Sequence, residues 1–166
     1  ALTKISQDFK RNEKIIGKSK LYSIALSNEI SYSYLAIAAI GRLNKQVKLI
    51  LQKLIAEIDK YTVFHSIAVF GSYSDGAQGK ESDLDIAVII ESEKKGHEVR
   101  TAISSVAKIS LIGLDCHVIT KKEFLEMLKA DYENLGKQIA RKSLPIHNNY
   151  IFYAIIREGV ENGFKH

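Results

Sequence analysis

The sequence predicts an α/β (α+β) fold: a small mixed β-sheet with helices packed on it, preceded by an N-terminal basic β-hairpin and a helical connector. Three observations predict it. Two short runs, Ile67–Phe70 and Asp83–Ile90, have the apolar content of buried strands. Segments 44–60 and 97–109 carry apolar residues at helical spacing. Glycines and polar residues bound both strand-like runs.

The chain has 166 residues, enough for one domain with a proper core. Apolar content of 46% and charged content of 26% are those of a soluble globular protein. The longest apolar run is far short of a membrane span. No signal-peptide pattern opens the chain, which begins with Ala. Cys116 is the single cysteine, so no internal disulfide can form and a cytoplasmic location is expected. A net charge of +5 and a pI near 9.2 favour polyanionic partners without deciding among them.

Taken in order, residues 1–27 read as a wing-like basic hairpin. Lys14 to Ile24 supplies two short strands, with Gly17-Lys18 as the turn. Lys10, Arg11, Lys14, Lys18 and Lys20 cluster around it. Residues 28–60 form the helical connector: a helix around Ser31–Ile40, a break at Gly41, then a helix with Val47, Ile50, Leu51, Leu54 and Ile58 on one stripe. The aromatic upstream helix suits packing, including against a second copy in a homodimer. Residues 61–130 are the core. Its helix 97–109 presents Val99, Ala102, Ile103, Val106 and Ile109 on one face. Residues 122–141 read as a single helix, with Phe124, Leu128, Tyr132, Leu135 and Ile139 on a common face. Pro145 interrupts the helical tail, 131–166, and Ile151–Glu158 forms a short terminal helix ending at Gly159.

The stretch SIAVFGSYSDGAQGKESDLDIAVIIE, residues 66 to 91, carries the chemistry. Alternate residues of a strand share a face, so Asp83 and Asp85 point together while Leu84 and Ile86 point away. Two carboxylates this close repel unless a cation joins them. Mg²⁺, which prefers hard oxygen ligands, is the natural one. At the end of the preceding strand, Gly71 allows positive φ and close backbone approach. Backbone N–H groups there, with the Ser72 hydroxyl, can cradle a phosphate.

The string Gly-Ser-x10-Asp-x-Asp resembles the signature of the DNA polymerase β-like nucleotidyltransferase superfamily, and more narrowly its MNT-type minimal members. The resemblance implies a third carboxylate on a neighbouring strand, which Asp115 in LIGLDCHVI provides. It implies that Asp83, Asp85 and Asp115 hold two Mg²⁺ ions, and that Gly71, Ser72 and Ser82 bind the nucleoside triphosphate. The implied activity is transfer of a nucleoside monophosphate, with ATP as donor, to an acceptor hydroxyl. A HEPN-family protein is the implied partner and acceptor, which the protein would modify as an antitoxin. The hairpin resembles the wing of a winged-helix domain, and the alternative reading is a nucleotide-sensing regulator that binds DNA. A hairpin packed on the domain or against a second copy explains the same residues. The sequence departs from the family at Asp75, where relatives often carry Arg; Lys80 is the nearest compensating charge.

Four further residue sets stand near the motif or carry titratable groups. His117, two residues from Asp115, shares its face and could orient it or simply satisfy a neighbour. Cys116 points the other way, as a buried structural thiol. Lys121 and Lys122 read as solvated lysines at a helix start. His65 and His147 have no partners within sequence reach, and no Cys/His spacing has the form of a zinc site.

Overall fold

The computed structural model describes residues 11–16, 19–24 and 29–164. Strands β1 (Arg11–Ile16) and β2 (Ser19–Ile24) pair antiparallel, with Arg11 opposite Ile24 and Ile16 opposite Ser19. This is the hairpin the sequence predicts. Its turn at Gly17-Lys18, together with Lys10 and the rest of segment 1–10, lies outside the described residues.

Helices α1 (Glu29–Arg42) and α2 (Lys45–Asp59) follow. The break between them comes after Gly41, which stays inside α1. Asn44 makes the break: its side chain accepts the Val47 N–H at 2.9 Å and caps α2. The predicted stripe Val47, Ile50, Leu51, Leu54 and Ile58 is the buried face of α2. Tyr32 of α1 is also buried and stacks on Tyr153, with ring centroids 5.0 Å apart.

Four strands form the main sheet: β3 (His65–Val69), β4 (Leu84–Ile90), β5 (Leu114–Thr120) and β6 (Leu144–His147). Their order is β5-β4-β3-β6. β3 runs antiparallel to β4 and β6, whereas β4 and β5 are parallel. A parallel neighbour needs a crossover, which α4 (Gly96–Ala107) supplies. A short helix, α3 (Gly71–Asp75), follows β3. The remaining helices are α5 (Lys121–Lys129), α6 (Leu135–Lys142) and α7 (Asn149–Glu161). A capping box starts α5: Thr120 Oγ1 accepts the Glu123 N–H at 3.2 Å, and Glu123 Oε2 accepts the Thr120 N–H at 2.8 Å.

The sheet is packed on both faces. Ile67, Val69, Leu84, Ile86, Val88 and Ile90 meet α2 and α4 on one side. Ala68, Ala87, Ile89 and Ile119 meet α5, α6 and α7 on the other. This double coverage explains why β3 and β4 read as nearly continuous apolar runs rather than alternating ones.

Four expectations need correction. The single helix over 122–141 is two helices, because Asn134 caps α6 through the Lys137 N–H at 3.1 Å and donates to the Met127 carbonyl at 2.8 Å. Tyr132 therefore falls in the connection and is 67% exposed. Ile109 lies past the end of α4 and is exposed. Pro145 does not merely interrupt the tail; it sits in β6, an edge strand, where a missing N–H costs no ladder bond toward solvent. Gly159 does not end the last helix but is buried inside α7, where a Cβ would come within 2.6 Å of Leu128 Cδ1.

Candidate active site

Strand direction assembles the site. Because β3 is antiparallel to β4, the end of β3 lies beside the start of β4, and parallel β5 starts at the same end. The Phe70 N–H donates to the Asp85 carbonyl at 3.0 Å, and the Leu84 N–H to the Gly113 carbonyl at 2.8 Å. Asp85 is in register with Asp115. Asp83 lies just ahead of β4 and is exposed; Asp85 is half-buried. Alternation from Ala87 and Ile89 puts the aspartate side of β4 on the face covered by α5–α7.

Two glycines make room for the carboxylates. Gly71 has φ +62, and a Cβ on it would stand 2.0 Å from Asp85 Oδ2. A Cβ on Gly113 would stand 1.8 Å from Asp83 Oδ1. Nothing in the sequence reading marked Gly113. A glycine directly ahead of a strand that carries a carboxylate was the available signal.

The electrostatics follow from this crowding. Burial, and then the charge of Asp115, raise the pKa of Asp85; His117 opposes the shift and Asp83 adds to it. His117 Nε2 lies 3.4 Å from Asp115 Oδ1, as expected for neighbours on one strand face. Its ring is 5.7 Å from that of Phe70. The Asp115 side chain is 57% exposed. The three carboxylates do not close into one cluster with all ligand oxygens within 4.8 Å; among the described residues that geometry belongs to Asp59, His65 and His147. A site for two ions needs no such closure, since each ion can sit between a different pair of oxygens.

The Gly-Ser segment differs from a plain loop. Residues 71–75 form α3, and Gly76 ends it in the left-handed region with φ 74. The Ser72 carbonyl accepts the Ala77 N–H at 2.9 Å. Ser74 Oγ bonds the Gly71 carbonyl at 2.7 Å and the Lys142 carbonyl at 2.8 Å, tying α3 to α6. Arg42 Nη2 donates to the Ser74 carbonyl at 2.6 Å. Ser82 is engaged elsewhere in the loop: its Oγ accepts the Gly79 N–H at 2.9 Å, and its carbonyl the Tyr73 hydroxyl at 3.4 Å. Among the described residues, no hydrogen bond joins Ser82 to the carboxylates.

A cleft of about 440 Å³ opens beside Gly71 and Asp85. Phe70, Asp75, Gln138, Arg141 and Lys142 line it with Glu133. Arg141 and Lys142, from the last turn of α6, are cations that sequence reasoning missed. Arg141 is held by Glu133 at 2.8 Å and lies 5.7 Å over the Phe164 ring. Lys80, the compensating charge expected from the sequence, is not among the cleft residues. A smaller apolar cavity of about 210 Å³ lies at the other end of the sheet, near Phe64, Ile89 and Tyr150. Its Lys121 is paired with Glu158 at 2.8 Å, and it brings no aspartates together.

The sequence profile described as "Polymerase beta, Nucleotidyltransferase" matches residues 52–151, which include every strand of the main sheet. The chain belongs to this nucleotidyltransferase family. No curated protein sequence matches it. Among solved structures, a chain of "Crystal structure of the toxin-antitoxin with AMP-PNP" is similar at a TM-score of 0.40 and 16% identity, covering 66% of this chain and 88% of that one. No helix among the described residues of the nucleotidyltransferase is long and apolar enough to cross a membrane.

Proposed function

We propose that this nucleotidyltransferase transfers AMP from ATP to an acceptor hydroxyl and releases pyrophosphate. One observation carries the reading: Asp85 is in register with Asp115 on parallel strands, against a positive-φ glycine at the mouth of a cleft. The donor set fits Mg²⁺. It consists of carboxylate oxygens, and mutual repulsion at Asp85 is what a cation would relieve. Asp83 and Asp85 would hold two Mg²⁺ ions, with Asp115 holding the one nearest the acceptor. Such ions supply charge neutralisation at the triphosphate and acidify the acceptor hydroxyl.

The chain's own groups do the rest. First-turn N–H groups of α3 and the Ser72 hydroxyl donate to phosphate oxygens. Gly71 lets the triphosphate approach the backbone. Lys142 and Arg141 line the same cleft as Asp75 and would offset the negative charge that this loop carries in place of an arginine. Asp115 takes the acceptor proton at a carboxylate oxygen, with His117 Nε2 positioning it. The acceptor oxygen bonds to the α-phosphorus as the bond to pyrophosphate breaks.

The acceptor we assign is a hydroxyl on a HEPN-family partner protein, following the MNT-type motif. A second reading, DNA binding through the basic hairpin, is favoured by the β1–β2 pairing. Salt-sensitive duplex binding lost on neutralising Lys14, Lys18 and Lys20 would support it. The deciding test of the first reading is calorimetric titration of ATP with and without Mg²⁺, followed by single-turnover assays. Metal-dependent binding and turnover are expected to fall at least about 100-fold in folded Asp83→Ala, the scale of losing one electrostatic stabiliser. Unchanged turnover in that variant would sink the reading.

A further inference from the structure

We propose that Asp59, His65 and His147 form a second metal site, for a divalent transition ion of the Zn²⁺ class, at the end of the sheet opposite the nucleotide cleft. The three residues come from the last position of α2, the first of β3 and the last of β6. Each offers one ligand atom, and these atoms all lie within 4.8 Å of one another. His65 pairs with Ile90, at the far end of β4 from Asp85. At strand rise, that separates the two sites by roughly 17 Å.

His65 supplies the decisive observation. Its side chain is fully buried, and its Nδ1 lies 3.1 Å from the Thr62 carbonyl. A carbonyl only accepts, so Nδ1 carries the hydrogen and Nε2 holds a lone pair. That Nε2 is buried and has no hydrogen-bond partner. Asp59 Oδ1 lies 3.8 Å away, another acceptor and too distant for a hydrogen bond. The His147 ring stacks obliquely beside it, with centroids 4.8 Å apart. An unmet buried acceptor facing a carboxylate is unfavourable unless a cation lies between them.

A metal ion satisfies all three ligands at once. Two imidazoles and one carboxylate suit Zn²⁺ or its neighbours better than Mg²⁺. The Nδ1 contact to a backbone carbonyl is the kind of support that orients a ligating histidine. The scaffold is also pinned. Asn148, in the left-handed region, donates from Nδ2 to the His65 carbonyl at 2.7 Å, and Ser66 Oγ donates to the His147 carbonyl at 2.9 Å. Asp59 remains 42% exposed, which leaves an entry path. Three protein ligands leave a coordination position for water, and the ion would staple α2 to the β3–β6 edge.

The test uses the full chain stripped by chelator, titrated with Zn²⁺ alone and followed by calorimetry and thermal unfolding. One ion per chain and a raised Tm are expected, because the ion binds the folded state. Asp59→Asn and His147→Ala should each weaken Zn²⁺ binding at least tenfold and abolish the Tm rise. The Asp83→Asn/Asp85→Asn variant should retain both. Asp59 is exposed at the surface, so its variant keeps the test open if His147→Ala fails to fold. No stoichiometric binding in the wild type would overturn the site, as would undiminished binding in Asp59→Asn.

Discussion

Gly71 and Gly113 both stand against carboxylates of the candidate site, but they should respond differently to a methyl group. Gly71→Ala places an L-residue at φ +62, a cost of about 1–2 kcal/mol. It also pushes on half-buried Asp85, so stability and turnover should fall together. Gly113 has no positive φ, and the Asp83 carboxylate it would meet is exposed and free to swing. Gly113→Ala should therefore stay within about 0.5 kcal/mol of wild type by denaturant unfolding, while turnover drops tenfold or more. Asp85 itself trades stability for function. Its folded pKa is raised above 3.8, so ionising it in the folded state is disfavoured, and the penalty appears as pH rises through the folded value. Asp85→Asn should raise the Tm of the metal-free protein at neutral pH and abolish transfer; a lowered Tm would contradict this account. Of the candidate site residues, the Asp-x-Asp pair was legible because strand alternation and spacing are local properties, and Asp115 was reached through the family resemblance. Gly113, Arg141 and Lys142 were not, because their roles depend on which strand and helix lie beside β4 and α3.

At the scale of elements, periodicity located the helices but not their breaks. Phe124, Leu128 and Ile139 do share one buried cluster, yet Asn134 starts a new helix between them. A continuous apolar stripe cannot distinguish one helix from two that turn onto the same sheet face. Gly159 shows the converse, since a residue that looks like a helix stop is a packing contact. Gly159→Ala gains about 1 kcal/mol of helix propensity but forces Leu128, which is 1% exposed, to move. Overpacking costs about 1–3 kcal/mol, so chemical denaturation should show a net loss of up to about 2 kcal/mol. A Tm increase would mean that α5 and α7 have slack the structure does not show. The thiol of Cys116, pushed up to about 12 by burial and Asp115, belongs to β5 packing rather than chemistry.

Across the whole molecule, the sheet is the common wall of two cores. Phe124, fully buried on the α5–α7 side, should cost about 3–5 kcal/mol when cut to Ala. Leu111, 92% exposed, should change stability by less than about 0.5 kcal/mol when cut to Ala. Urea unfolding of both variants checks the contrast. By itself the sequence determined the fold class, the strands β3, β4 and β5, the buried stripes of α2 and α4, and the positions of three aspartates. Apart from Asp115, which the family resemblance supplied, these follow from side-chain alternation, helical period and motif spacing, which act over a few residues. Only the tertiary structure decided that β6 completes the sheet around Pro145, that Arg141 and Lys142 face the cleft, and that His65 meets His147. Those residues are brought together by strand order, and pairing across 82 positions from His65 to His147 leaves no trace in local sequence pattern.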